Sequence, residues 1–258
     1  MRHALLLFFA FGLLVGCGTP ESSTAEARAE TDNTTNSAAD SVEINPIFHG
    51  SLVLRRGDQT VFVDPYNGAQ RYTPHGAPDL VLITHTHGDH LDSATLSGLD
   101  LSQATLVAPQ AVMDATQIEF AERHTLANGE SWSWNDINIE AIPAYNPPPK
   151  ENFHPEGQFN GYVLDWDGER IYISGDTEGV PAMRQLDDID VAFVCMNLPY
   201  TMDIDQAASA VVEFAPAVVY PYHYRNQDDT KSDVEAFRRM VNTENDDIEV
   251  RLANWYDQ

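Results

Sequence analysis

Four side chains able to hold a metal ion fall within six residues, His85-Thr86-His87-Gly88-Asp89-His90. They follow directly on the apolar run at 80–84, which has the composition of a buried strand. So dense a group of imidazoles and carboxylates cannot sit inside a sheet, because each buried polar group needs a partner. The strand must end where the cluster begins, and the cluster must lie at the sheet's carboxyl edge. Side chains alternate along an extended chain. His85 and His87 therefore point one way, while a turn lets Asp89 and His90 reach another. Gly88 is expected to permit that turn. Neutral imidazole with carboxylate suits Zn2+, Mn2+ or Fe2+, and the two directions can serve two adjacent ions.

Two more apolar runs end in polar clusters. The run at 170–174 leads into Gly175-Asp176-Thr177, and the run at 217–220 into Pro221-Tyr222-His223-Tyr224. Sites in α/β sheets form outside the carboxyl ends of strands, so three such ends predict one pocket. Further strand-like runs lie at 51–55 and 60–63 around Arg56-Gly57-Asp58-Gln59, at 105–108, and at 132–134 and 137–142 around Asn135-Asp136. Others lie at 162–166, joined to 170–174 by Asp167-Gly168, and at 190–195. Helical periodicity marks 110–123, 180–186, 204–214 and 231–242. Asp203 and Pro216 bracket the third of these helices. This mixture predicts an α/β domain; no internal repeat is visible.

Hydrophobic residues make up 43% of the 258, enough to build a core, which excludes a wholly disordered chain. Asp and Glu number 40 against 14 Lys and Arg, a net charge of −26. Lys150 and Lys231 are the only lysines. A surface of this sign repels phosphate backbones, so nucleic acid is excluded as the default partner, and anionic substrates are disfavoured.

Met1-Arg2-His3 is basic, and the apolar run at 4–15 is shorter than the ~20 residues that span a bilayer. It matches the core of a secretory signal peptide. Leu14-Val15-Gly16-Cys17 resembles a bacterial lipoprotein signal. That resemblance implies removal of residues 1–16, lipid on Cys17 and membrane attachment through it. With Gly18 next, it implies sorting to the outer membrane, facing the periplasm. Residues 17–41, rich in Ser, Thr, Ala, Asn and Glu, read as a flexible tether, and 42–258 as the catalytic domain. Cys195 is the only other cysteine. It has no disulfide partner once Cys17 carries lipid, and it is expected to be buried and inert.

The hexapeptide at 85–90 resembles the HxHxDH motif of the metallo-β-lactamase superfamily. His154, Asp176 in Gly175-Asp176-Thr177, and His223 follow in that family's order. Upstream, Phe48-His49-Gly50-Ser51 and Val63-Asp64-Pro65-Tyr66 look like its opening hairpin and the Asp that ends its strand. The resemblance spans about residues 44–225. It is nearest the branch that includes ascorbate-6-phosphate lactonases and phospholipase-D-type N-acylethanolamine phospholipid hydrolases. It implies an αβ/βα four-layer sandwich with the metals at one edge. One site would be His85, His87 and His154, the second Asp89, His90 and His223, with Asp176 bridging. The implied cofactors are two divalent ions, Zn2+ by default, with Mn2+ or Fe2+ compatible with the same ligands. In some relatives the third His follows an Ala-aromatic pair. Here Ala144-Tyr145 is followed by Asn146, the substitute should His154 not serve.

His49 is expected near the metals, as support or substrate contact, and Asp64 is expected to orient a ligand His. Tyr200 or Tyr222 could polarise a substrate oxygen, whereas Tyr145 and Tyr224 read as packing. His75 and His124 read as exposed in polar loops. A bound cation lowers the pKa of water from about 15.7 toward about 7, so the resemblance implies hydroxide attack on a carbonyl or phosphorus. Asp89 and Asp176 would hold the nucleophile. The expected enzyme is a hydrolase of a small lactone, ester, amide or phosphodiester. The alternative is a non-catalytic metal-binding or sensor lipoprotein.

Overall fold

Apolar residues alternate along the strands, and the two alternating sets bury on opposite faces. A computed structural model describes residues 41–256. The signal segment, Cys17 and all of the tether but Ser41 lie outside the described residues. The first sheet holds β1 (Glu43–Phe48), β2 (Ser51–Arg56), β3 (Gln59–Val63), β4 (Leu80–Leu82), β5 (Thr105–Ala108) and β6 (Glu122–Thr125), side by side in chain order. The pairs β1–β2 and β2–β3 are antiparallel, and β3 to β6 run parallel. The second sheet repeats the plan. There β7 (Ser131–Trp134), β8 (Ile137–Ala144), β9 (Phe159–Trp166) and β10 (Glu169–Ile173) are antiparallel. Strands β11 (Val191–Cys195), β12 (Val218–Tyr222) and β13 (Glu249–Val250) follow in parallel.

Leu52, Leu54, Val61, Val63, Leu80 and Leu82 face a core shared with the second sheet. Their neighbours Val53, Phe62, Val81 and Leu106 face a second core on the other side. That outer core is closed by Tyr72 of a 3-10 helix (Ala69–His75), Leu96 of α1 (Ser93–Ser97) and Val112 of α2 (Gln110–Ala115). Beyond the second sheet lie α3 (Pro181–Arg184), α4 (Ile204–Phe214) and α5 (Val234–Glu244), whose Met183, Val211 and Phe237 are buried in an apolar cluster continuous with the shared core through the sheet. Helices, sheet, sheet and helices make the expected four layers. Burial on both faces explains why β4 is a continuous apolar run rather than an alternating one.

Local chemistry sets the element ends. Asn135, and Asp167 with Gly168, take positive φ in the two-residue turns of the β7–β8 and β9–β10 hairpins. Asp203 caps α4 by accepting from the Gln206 N–H at 2.8 Å, and Asp233 caps α5 by accepting from Ala236 N–H at 2.8 Å.

The helix expected at 110–123 stops at Ala115. Beyond extended Thr116, Ile118 and Phe120 pack on the outer core at a spacing of two, and 122–125 join the sheet as β6. His124 is therefore not in an exposed loop; it is half-buried and stacks on Trp132, ring centres 4.1 Å apart. His75 is likewise half-buried, in the 3-10 helix. Cys195 is a buried free thiol, as expected. Burial pushes its pKa up to about 12, which leaves it unreactive.

Candidate metal centre

Three strands from two sheets deliver the site. The chain leaves β4 through Ile83 and Thr84 into His85, leaves β10 into Asp176, and leaves β12 into His223. His154 comes from the loop before β9, and His49 from the β1–β2 turn. Donor atoms of His85, His87 and His154 lie within 4.8 Å of one another, as do those of His49, Asp89 and His223, and those of His85, His90 and Asp176.

The residues expected to ligate metal thus form one cluster. His85 Nε2 stands 3.1 Å from His87 Nδ1, and His90 Nε2 stands 3.0 Å from His223 Nε2. Asp176 lies between the groups: Oδ1 is 3.5 Å from Nε2 of both His90 and His223, and Oδ2 is 3.5 Å from His154 Nε2. Asp89 Oδ2 is 3.3 Å from both His223 Nε2 and His49 Nε2.

Three residues at the cluster are held in a strained backbone conformation. His49, Asp64 and His223 all take left-handed φ, at 57°, 43° and 46°. For residues with a β-carbon this costs about 1–2 kcal/mol each. Gly50 is needed for space: a β-carbon there would lie 2.9 Å from His223 Cδ2 and 3.0 Å from His90 Cε1. Gly88 is not needed in this way. Its φ is not left-handed and a β-carbon would meet nothing within 4 Å, so the turn after His87 does not depend on glycine.

A second ring of partners decides which nitrogen each imidazole presents. The Asp64 carboxylate, fully buried, accepts from Thr84 N–H at 2.8 Å, from the Thr84 hydroxyl at 2.7 Å and from His90 Nδ1 at 2.7 Å. His90 therefore keeps a proton on Nδ1, and Nε2 is the nitrogen it presents to the cluster. Because the Thr84 hydroxyl spends its one proton on Asp64, it accepts from His85 Nδ1 at 3.0 Å, and His85 Nε2 is bare. Asn146 Oδ1 accepts from His154 Nδ1 at 2.6 Å while its amide donates to Tyr200 O, so His154 Nε2 faces Asp176. Asn146 is thus a prop for His154 and does not replace it.

His49 has the opposite tautomer. The Tyr256 hydroxyl accepts from the N–H groups of Tyr224 and Arg225, both at 3.0 Å, leaving its proton for His49 Nδ1 at 2.8 Å. The proton of His49 then sits on Nε2, aimed at Asp89. His49 is a donor beside the cluster, whereas the nitrogen His90 turns to His223 is Nε2, the one a cation can take in place of a proton.

The electrostatics point the same way. Burial, helped by His223, holds the His49 pKa down to about 4. Burial also pulls His85 well below the ordinary 6.5 and lowers His87. For His90, burial is outweighed by Asp176, Asp64 and Asp89, which push its pKa up to about 10. Burial would raise Asp89 and Asp176, yet the surrounding imidazoles hold both below the carboxylate range. Three carboxylates converge on this point and demand positive charge, from a proton on His90 or from a cation.

A cavity of about 380 Å³ opens over the cluster, floored by His49, His87, Asp89 and Asp176 and walled in part by Tyr200 and Arg225. Tyr200 is among its lining residues. Tyr222 is not: it is fully buried against Phe193 and Trp255 in the core. Tyr145 and Tyr224 pack against the core. A larger groove of about 570 Å³ lies between α4 and α5, and none of the clustered residues lines it. Thr84, Arg225 and Tyr256 were not anticipated. Thr84 and Arg225 adjoin motif residues, whereas Tyr256 lies 207 positions from His49 and has no local signal.

The sequence profile of the beta-lactamase superfamily domain matches residues 43–223. A UPF0173 metal-dependent hydrolase of Thermoplasma acidophilum is 31% identical over 205 residues, covering 76% of this chain and 90% of the relative. A protein of Parabacteroides distasonis, solved as a candidate metal-dependent hydrolase, is 38% identical with a TM-score of 0.72, covering 82% of this chain and 92% of that one. The metallo hydrolase Igni18 of Ignicoccus hospitalis shares the fold at 23% identity, with a TM-score of 0.71 over 84% of this chain and 96% of its own. The chain belongs to the beta-lactamase superfamily and is one of its metal-dependent hydrolases.

Proposed function

We propose that the protein hydrolyses a small molecule at a carbonyl or phosphodiester centre, using two divalent ions, Zn2+ first. The observation that carries this reading is a pair of buried polar atoms, His154 Nε2 and Asp176 Oδ1, with no hydrogen-bond partner among the described residues. Leaving such atoms unpaired costs about 1–3 kcal/mol each, so their donor chemistry fits a cation. His85, His87 and His154 would hold one ion, Asp89, His90 and His223 the other, and Asp176 both. Bound there, the ions supply Lewis acidity and make water acidic enough to lose a proton near neutral pH.

The chain's own residues do the rest. Asp64, Thr84 and Asn146 fix the ring nitrogens. Asp89, ionised at neutral pH, accepts from His49 and orients a nucleophile. His49 keeps a fixed N–H at the cavity floor. Tyr200 is placed to meet a substrate oxygen. Initial rates of the zinc-loaded protein on bis(p-nitrophenyl) phosphate and on p-nitrophenyl acetate separate phosphorus from carbonyl chemistry. Asp176→Ala should lose at least about 100-fold on whichever is turned over; wild-type turnover in that variant refutes the bridging role.

We propose further that Cys17 carries lipid and holds the enzyme on the outer membrane, facing the periplasm. Labelled palmitate should enter the wild type and not Cys17→Ser; equal labelling of both would sink the anchor.

A further inference from the structure

The described lining of the active-site cavity carries three carboxylates, Asp89, Asp176 and Asp229, and one guanidinium, Arg225. A guanidinium beside a site built for divalent cations is repelled by them, so its presence needs a compensating charge. Asp89 and Asp176 face the histidine cluster and make no ion pair with Arg225. Among the described residues the one carboxylate within 4 Å of the Arg225 guanidinium is Asp229, with Oδ1 3.9 Å from Nε and its side chain 90% exposed. So loose and exposed a pair contributes next to nothing.

Yet the side chain is held in place. The Arg225 backbone N–H donates to the Tyr256 hydroxyl at 3.0 Å. Its guanidinium lies over the rings of Phe48 and Tyr256, 5.5 and 5.6 Å from their centres. Aromatic faces position a guanidinium without consuming its N–H donors. The result is a pre-oriented fork at the cavity wall.

Resting on the hydrolase reading above, we propose that Arg225 binds an anionic group of the substrate, a carboxylate or a phosphate. Planar, two-pronged recognition of such a group is what a guanidinium does best. The preferred substrates are then small anionic esters, lactones or phosphodiesters. This reverses the expectation drawn from a net charge of −26. Charge spread over the whole surface is screened within about 8 Å at physiological ionic strength, whereas Arg225 acts at contact distance.

The test compares p-nitrophenyl hemisuccinate with p-nitrophenyl acetate, on full-length zinc-loaded protein. Arg225→Gln should lower the kcat/KM ratio of the anionic over the neutral ester roughly 10- to 100-fold, mainly through KM. Arg225→Lys should restore part of it. Arg251→Gln removes a guanidinium that pairs with Glu249 away from the cavity and should keep the wild-type ratio. An unchanged ratio in Arg225→Gln, or an equal fall in Arg251→Gln, overturns the assignment. If neither ester is turned over, carbonyl hydrolysis fails on its own account and binding decides. Succinate or inorganic phosphate should raise the Tm of chelated wild type and not of chelated Arg225→Gln, and the more effective anion names the group. No shift in the wild type, or equal shifts in both, also overturns the proposal.

Discussion

Replacing Asp64 by Asn changes one atom and should disable a residue it does not replace. The native carboxylate accepts three hydrogen bonds, from Thr84 N–H, the Thr84 hydroxyl and His90 Nδ1. An Asn oxygen can still serve Thr84 N–H, but its amide then faces the other two partners as a donor. His90 can meet that amide only by giving up the proton on Nδ1. The proton moves to Nε2, the atom 3.0 Å from His223 Nε2 and 3.5 Å from Asp176 Oδ1. A protonated Nε2 has no lone pair for a metal. Losing an outer partner of this kind lowers metal affinity about 10- to 100-fold, or roughly 1.4–2.7 kcal/mol. The lost charge-assisted bond costs folding about 1.5–3 kcal/mol, within the roughly 5–15 kcal/mol of a typical domain, so the variant should fold. Titration of zinc against a chelator of known affinity, with a melting curve on the same sample, reads both numbers. A folded Asp64→Asn protein that binds two zinc ions as tightly as the wild type refutes the tautomer argument.

Asn146→Ala removes the acceptor that fixes His154 Nδ1. It should weaken zinc binding about 10- to 100-fold, while Asn146→Asp, which keeps an acceptor, recovers most of it in the same titration. In chelated protein, stability should peak near pH 6.5. His49 is held down to about 4 against an ordinary 6.5, so below pH 6.5 the unfolded chain takes up a proton that the folded chain refuses. This removes up to about 3 kcal/mol by pH 4, and His85 and His87 add to the loss. His90 runs the other way: with a folded pKa of about 10, its contribution is complete below pH 6.5 and fades as pH rises to 10. Thermal melts from pH 4 to 10 check this, and stability that climbs steadily from 7 to 10 contradicts it.

The sequence announces the centre because ligand chemistry is local. His85, His87, Asp89 and His90 occupy one strand end, and Asp176 and His223 follow strands whose apolar runs are plain to read. The hairpins were legible too, since Asn135-Asp136 and Asp167-Gly168 carry the turn conformation themselves. Residues 110–123 misled because Ala111, Val112 and Ala115 start a helical pattern. Ile118 and Phe120 then change its period to two over a stretch too short to stand out. Tyr222 misled through its place beside His223: Tyr222 ends the strand with its side chain in the core, and the left-handed φ of His223 turns the next side chain to the edge. Of the supports of the rings, Asp64 was legible from its place after an apolar strand and Asn146 only as a substitute ligand, while Thr84 and Tyr256 stayed hidden for a different reason. Thr84 and Tyr256 are ordinary residues until the fold sets them within 3.0 and 2.8 Å of an imidazole, and that proximity is a property of tertiary structure alone.

The strain at His49, Asp64 and His223 follows from the same geometry. Each lies at or just beyond a strand end: His49 between β1 and β2, Asp64 after β3, His223 after β12. In extended conformation the side chain there would continue the alternation and face one of the two cores. A left-handed residue breaks the alternation and turns the side chain along the sheet's edge, where all three meet the cluster. Three such residues cost about 3–6 kcal/mol together, a large share of a domain's net stability. Packing of the shared core offsets part of this cost. A bound cation offsets more, because it favours the folded chain by an amount that grows with its concentration over its Kd. Metal occupancy and fold stability are therefore coupled through these three residues. Relaxing the strain would stabilise the metal-free protein and weaken the centre at once.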